Sequence, residues 1–255
     1  MLSICRAYQE CFQVKILKKV AIIQARLGST RLPRKSIMKI NDDSLLSYLI
    51  KRIKHVAELD SIIVATSDKP RDCKIAEIAE NHYVNAFQGS EQDVLDRFVK
   101  AARLVKAGLI VRITADNPFT DPQIISILIH SQEEKKADYT WMEGLPVGVG
   151  SEVISMSTLE KAASLATDPY DREHVTSFIK RSPNLFKINI LDAPKEFKYP
   201  EYRLTVDYPE DYQVIRKIYR ALHSNDELIS LKEIIKFLKE HPDIANLNTG
   251  RRTET

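Results

Sequence analysis

Short apolar runs rich in β-branched residues alternate with stretches of helical spacing through the first half of the chain, and this alternation leaves few folds open. Val20–Ala25 and Ser61–Thr66 each hold four successive apolar residues, Val20–Ile23 and Ile62–Ala65, the pattern of strands buried on both faces. Between them, Asp42–Ala57 carries Leu45, Leu46, Leu49, Ile50 and Ile53 at helical spacing on one side. The rhythm continues with a helix near Pro70–Asn81, a strand around Val84–Phe87, a helix at Gln92–Lys106, a strand at Leu109–Thr114 and a helix near Pro122–Lys135. Strands joined by helices of this length pair in parallel, because the chain must travel back before it can extend the sheet again. We expect an α/β fold with a mostly parallel sheet and helices on both faces. Ligands bind such sheets outside the carboxyl ends of the strands, and the loops after Ala25, Thr66 and Thr114 share that edge.

Beyond Tyr139 the pattern changes. Gly144, Pro146, Gly148 and Gly150 mark a loop, followed by helices at Ser157–Ala166 and Tyr170–Arg181 and a strand at Phe186–Ile190. Leu191–Pro200 reads as a loop or an excursion toward a partner subunit. Tyr202–Val206 has a strand signal, Pro209 opens a helix to about Leu222, and Ser230 caps a last helix through Leu238. Residues 1–18 read as an N-terminal appendage and residues 19–250 as a single domain, for which 255 residues at 44% hydrophobic content supply an ample core.

Charge and cysteine content exclude several classes. With 38 Lys and Arg against 35 Asp and Glu, the net charge of +3 lacks the basic excess of a dedicated nucleic-acid binder, so an anion site must be local. Cys5, Cys11 and Cys73 form no Cys-x-x-Cys pair, which points away from a disulfide framework or zinc site and toward a reducing cytoplasm. No apolar run approaches the roughly 18 residues of a membrane span, and Met1–Gln13 lacks the apolar middle of a signal peptide.

The local anion site follows the first strand. Gly28, Ser29 and Thr30 allow close backbone approach and offer N–H and hydroxyl donors, while Arg26, Arg31, Arg34 and Lys35 supply positive charge. This combination suits a triphosphate, although no Gly-x-x-x-x-Gly-Lys-Ser/Thr run is present. A solvated basic turn would have the same composition.

Two carboxylates stand at strand ends in similar settings: Asp116 in Arg-Ile-Thr-Ala-Asp-Asn-Pro and Asp207 in Arg-Leu-Thr-Val-Asp-Tyr-Pro. The proline two residues on stops each strand and leaves the carboxylate in a loop. Mg2+ favours one or two carboxylates together with phosphate oxygens, so this pair could complete a site begun by the cationic loop; each Asp alone fits a turn or cap equally well. Glu210 and Asp211 suit the first turn of a helix through its dipole.

Near the same edge, Ser67 and the segment Ser90–Arg97, with Asp93 and Arg97, offer groups for a nucleobase, while Ser90 with Asp93 three residues on also fits a helix cap. Glu152, Arg172, Glu173 and His174 place mixed charge where a second substrate would enter, and a solvated helix face accounts for them as well.

Taken in order, Ile22–Pro33, Val64–Asp68, Gly89–Arg97, Arg112–Pro118, Tyr170–Thr176 and Leu204–Asp211 resemble the spore coat polysaccharide biosynthesis protein F family. That family is a branch of the cytidylyltransferases, which include the CMP-Kdo and CMP-acylneuraminate synthetases. The resemblance runs from about Val20 to Asn248. It implies a glycosyltransferase-A-like nucleotidyltransferase that uses Mg2+ and CTP, acts on a carbohydrate acceptor and forms a homodimer. By position, Arg26 and Lys35 would bind the triphosphate, Asp116 and Asp207 would hold the metal, and cytosine would lie against Gln24, Ala25 and the 66–68 and 89–97 turns. Glu152, Arg172, Glu173 and His174 would face the acceptor in a lobe around residues 140–200 that also serves dimerisation.

The chain departs from the family pattern twice. Arg34 stands where Gly is common, which would either tighten or block phosphate binding, and Gly150 stands where Asp is frequent. The expected reaction is CMP transfer from CTP to a sugar acid or related carbohydrate acceptor with release of pyrophosphate, in surface polysaccharide or glycan biosynthesis. Transfer to a sugar or polyol phosphate, giving a CDP-linked product, and CTP binding without turnover are the alternatives.

Overall fold

The computed structural model describes residues 17–224 and 228–250, so nearly all of the expected appendage at 1–18 lies outside the described residues. The chain begins with β1 (Lys19–Gln24), then a short hairpin of β2 (Lys39–Ile40) and β3 (Asp43–Ser44) that leads into α1 (Leu45–Ile53). There follow β4 (Ser61–Ser67), α2 (Cys73–Asn81), β5 (Asn85–Gly89), α3 (Val94–Leu104), β6 (Leu109–Thr114) and α4 (Pro122–Lys135). The later part holds β7 (Tyr139–Glu143), β8 (Glu152–Ser155), α5 (Met156–Leu165), α6 (Pro169–Glu173), α7 (Ser177–Lys180) and β9 (Ile188–Asp192). It ends with α8 (Pro209–Leu222), α9 (Leu231–Glu240) and α10 (Pro242–Ala245).

The main sheet has the order β5-β4-β1-β6-β8-β7-β9, and β8 alone runs antiparallel to its neighbours. The expected mostly parallel sheet is therefore present. Strand β1 lies inside the sheet between β4 and β6, with Val20, Ala21, Ile22 and Ile23 fully buried, as the unbroken apolar run requires of a strand covered on both sides. Alternate residues serve separate cores. Ala21 and Ile23 pack beneath α1, α2, α4, α8 and α9, whereas Val20 and Ile22 pack beneath α3, α5 and α7. Each buried aliphatic side chain is worth about 1.5–3 kcal/mol, so the two layers hold the sheet rigid beneath its loops.

Several elements differ from the sequence reading, each for a local reason. Asp42–Ser44 belongs to the hairpin, and α1 starts only at Leu45, where Ser44 caps it by accepting from the Ser47 N–H at 3.0 Å. The single helix expected over Tyr170–Arg181 is split into α6 and α7: His174 leaves helical geometry, and Thr176 is drawn to Glu152. The loop read at Gly144–Gly150 is present, but it is flanked by two strands with no sequence signal of their own, β7 before it and β8 after it.

Tyr202–Val206 forms no strand, because its partners are loops and not a sheet edge. The Val147 N–H donates to Tyr202 O at 2.9 Å, the Leu204 N–H to Val147 O at 2.7 Å and the Val206 N–H to Asp116 O at 2.8 Å. Gly148, at φ 90°, allows this close approach; a Cβ there would stand 2.6 Å from Thr205 N. These bonds bring Asp207 to the end of β6, beside Asp116.

Candidate functional site

Lys35 opens a short 3-10 turn (Lys35–Ile37), and its side chain is buried beneath the loop that follows β1. Its ammonium donates to Asp116 Oδ2 at 2.7 Å and to Asp207 Oδ1 at 2.8 Å. Arg31 reaches the same Asp207 oxygen at 2.9 Å, while Arg203 donates to Asp207 Oδ2 and, through Nε, to Asp211 Oδ1, each at 2.8 Å. Asp211 accepts the backbone N–H groups of Asp207 and Tyr208, both at 2.9 Å, which fixes the turn entering α8. Three carboxylates thus face three cations.

Burial opposes the charge on Lys35, but Asp116 and Asp207 outweigh it and raise the ammonium pKa above its usual 10.5. Burial likewise disfavours the Asp116 carboxylate, yet Lys35 and hydrogen bonding, including from Thr114, leave its pKa below 3.8.

Two cavities meet at this cluster. Gln24, Ala25, Arg26, Ser29, Thr30, Arg31, Lys35 and Asp116 line a cleft of about 410 Å³, so most of the cationic loop gathers there. Glu173 joins the same cleft and pairs with Arg26 at 3.0 Å. A larger chamber of about 790 Å³ adjoins it, shares Arg31, Thr114 and Asp116, and contains Asp207, Glu152 and His174.

Other expected site residues have structural partners. Gly28 lies against the Arg71–Glu91 ion pair; a Cβ there would meet Arg71 Nη2 at 2.7 Å. Ser67 donates to Asp72, which in turn accepts the Leu27 N–H at 2.8 Å and ties the loop to β4. The helix cap is Asp93 and not Ser90, because the Ser90 hydroxyl accepts the Asp93 N–H one turn too early. Asp93 also pairs with Arg172 at 2.5 Å, and Arg172 lines neither cavity. Arg97 is buried and donates to Ser90 O at 2.7 Å; burial and the nearby Arg26 lower its pKa to about 10.

Arg34 also lies outside both linings. It is exposed and holds φ 62°, the left-handed region in which glycine is favoured, so the departure from the family pattern falls on the backbone.

Glu152 proves to be a hub. Its carboxylate accepts from Arg112 at 2.6 Å, Lys180 at 2.9 Å, Thr176 at 3.1 and 3.2 Å, and Tyr139. Burial opposes its charge, but Arg112 and Lys180, with the Tyr139 hydrogen bond, bring its pKa down to about 2. Sequence reasoning missed Arg112, Trp141, Ser151 and Lys180, all of which line the chamber. Arg112 and Arg203 each open one of the two similar Asp segments, a signal that could have marked both.

A parallel α/β sheet with a cationic cleft at its carboxyl edge, joined by a paired-carboxylate cluster to a second chamber, defines the nucleotidyltransferase class. A family model described as cytidylyltransferase matches residues 20–240. The spore coat polysaccharide biosynthesis protein SpsF of Bacillus subtilis is 38% identical over 233 residues, covering 88% of this chain and 95% of that protein. The 3-deoxy-manno-octulosonate cytidylyltransferase of Koribacter versatilis is 29% identical over 171 residues, 62% of each chain. A solved cytidylyltransferase from Leptospira borgpetersenii is 28% identical with a TM-score of 0.84, covering 94% of this chain and 100% of that one. The chain belongs to the cytidylyltransferase family.

Proposed function

We propose that the protein transfers CMP from CTP to a sugar acid and releases pyrophosphate, in the synthesis of a surface polysaccharide. The observation that carries this reading is the position of the Lys35–Asp116–Asp207 cluster, where a cationic cleft meets a second chamber. An acceptor oxygen forms a bond to the α-phosphorus as the bond to the β-phosphate oxygen breaks. Arg26, Arg31 and Lys35 receive the triphosphate and the charge that develops on the departing pyrophosphate. The Gln24 side-chain oxygen is buried without a partner among the described residues, which suits a nucleobase donor. The names of the Bacillus and Koribacter relatives support the pathway and the acceptor class.

The donor set fits Mg2+. Asp116 and Asp207 present oxygens close enough to share one ammonium, and two carboxylates are the number Mg2+ takes when phosphate oxygens complete its shell. When bound, Mg2+ would neutralise phosphate charge there. We further assign acceptor binding and dimerisation to the 140–200 lobe of one 19–250 domain, where β9 forms an open sheet edge and Ile190 is half exposed. A cytoplasmic setting follows from the use of CTP, and among the described residues no helix is long and apolar enough to cross a membrane. Pyrophosphate release from CTP against a panel of sugar acids and sugar phosphates tests the reading; release only with sugar phosphates would replace it with CDP-linked product formation.

A further inference from the structure

The larger chamber carries an unbalanced charge. Glu152 is a single carboxylate, yet it holds two cations, Arg112 at 2.6 Å and Lys180 at 2.9 Å. Elsewhere around the chamber, charges are matched among the described residues: Arg181 is paired with Asp171, and Lys35, Arg31 and Arg203 are balanced by Asp116, Asp207 and Asp211. One positive charge therefore remains at Arg112 and Lys180.

Unused donors lie beside it. The Arg112 Nε is buried without a hydrogen-bond partner among the described residues, and so is the hydroxyl of Ser151, a chamber-lining residue only 7% exposed. A buried donor left unpaired costs about 1–3 kcal/mol, so such a pair beside surplus positive charge is built for an anion. Lys180 also sits 5.5 Å from the ring of Trp141 on the chamber wall. Arg112 and Lys180 line this chamber and not the 410 Å³ cleft, so the nucleotide phosphates have their own cations.

Resting on the proposed transfer to a sugar acid, we infer that Arg112, Lys180 and Ser151 form the subsite that receives the acceptor's carboxylate, with Glu152 as the positioning residue that holds both cations. A carboxylate carries one charge, which matches the surplus, and its two oxygens can take donors from a guanidinium and a hydroxyl together. Glu152 itself has its oxygens occupied by Arg112, Lys180, Thr176 and Tyr139, so it orients the subsite and does not bind the acceptor.

Trp141 is the only tryptophan in the chain, so intrinsic emission reports on this chamber directly. The nucleotide-free full chain is titrated at constant ionic strength with acetate, its neutral analogue acetamide, and methyl phosphate. Acetate should change the emission saturably and acetamide should not. Lys180→Met and Arg112→Gln should each weaken the acetate response about tenfold, the effect of losing a charge-assisted hydrogen bond. Ser151→Ala should weaken it less. Melting temperatures identify a variant that has merely lost its fold, and the part-exposed Lys180 keeps the test usable if Arg112→Gln does so. Equal responses to acetate and acetamide, an unchanged response in folded Lys180→Met, or stronger saturation by methyl phosphate than by acetate would each overturn the assignment. Because this titration needs no turnover, its outcome is independent of pyrophosphate release, which tests the transfer reaction itself.

Discussion

The Lys35 ammonium stands 2.7 Å from Asp116 Oδ2 and holds that carboxylate against Asp207, whose Oδ1 it meets at 2.8 Å. The same oxygens are the ones proposed to hold Mg2+. A free divalent ion must therefore compete with an ammonium already in place, whereas a metal arriving with a triphosphate brings Lys35 a new anion to bind.

Mn2+ titration followed by electron paramagnetic resonance examines this competition. Nucleotide-free protein should bind Mn2+ weakly, and CTP should strengthen binding. Lys35→Met should raise nucleotide-free Mn2+ affinity about tenfold, the scale of one removed charge at close range, while weakening CTP. If the variant binds Mn2+ no better than wild type, Lys35 is not the competitor.

The two carboxylates should separate when changed one at a time. Asp116→Asn and Asp207→Asn should both abolish metal-dependent turnover, but only Asp207 is nearly sealed from solvent and shared by Lys35, Arg31 and Arg203. Asp207→Asn should therefore also cost roughly 3–5 kcal/mol of stability, the scale for breaking a buried ion pair, with a smaller loss for Asp116→Asn. Urea denaturation measures both, and equal losses would contradict the difference in burial.

The sheet and one side of the site could be read before the structure because their signals are local. Val20–Ile23 and Leu109–Val111 are unbroken apolar runs, and the loops that follow their strands must reach the same edge. Asp116 and Asp207 were recognisable as a pair from their matching segments. The bond between Lys35 and those carboxylates was not, because it depends on the Val147–Leu204 and Asp116–Val206 backbone contacts across distant loops. Strand β8 is four residues long and follows Gly144, Gly148 and Gly150, so its antiparallel pairing has no pattern to announce it. Arg172 and Asp93 read as site residues because an ion pair that joins α6 to α3 uses the same side chains as a binding site.

Arg34 offers a backbone test. At φ 62° and exposed, Arg34→Gly should stabilise the fold by roughly 1 kcal/mol, since glycine escapes the left-handed penalty, and calorimetric CTP affinity should hardly change. A large salt-sensitive loss of affinity would show that the guanidinium reaches the phosphates.

Glu152 predicts a pH signature. Its folded pKa of about 2 lies below the ordinary 4.5, so its contribution to stability is complete above about pH 5 and disappears as pH falls toward 2. Glu152→Gln should flatten that acid limb and cost roughly 3 kcal/mol near neutrality, where Arg112 and Lys180 lose their shared partner. An unchanged acid limb would mean that the carboxylate is not held ionised.

Cytidylyl transfer is tested by coupling pyrophosphate release to the mass of the product. Wild-type protein with Mg2+ is incubated with CTP, UTP, ATP or GTP and a panel of sugar acids. Pyrophosphate release should require both CTP and an acid acceptor, with a product heavier than the acceptor by one cytidylyl group and no such product from Asp116→Asn. Release that is indifferent to the nucleotide base, or the absence of any CMP-linked product across the panel, would contradict cytidylyl transfer.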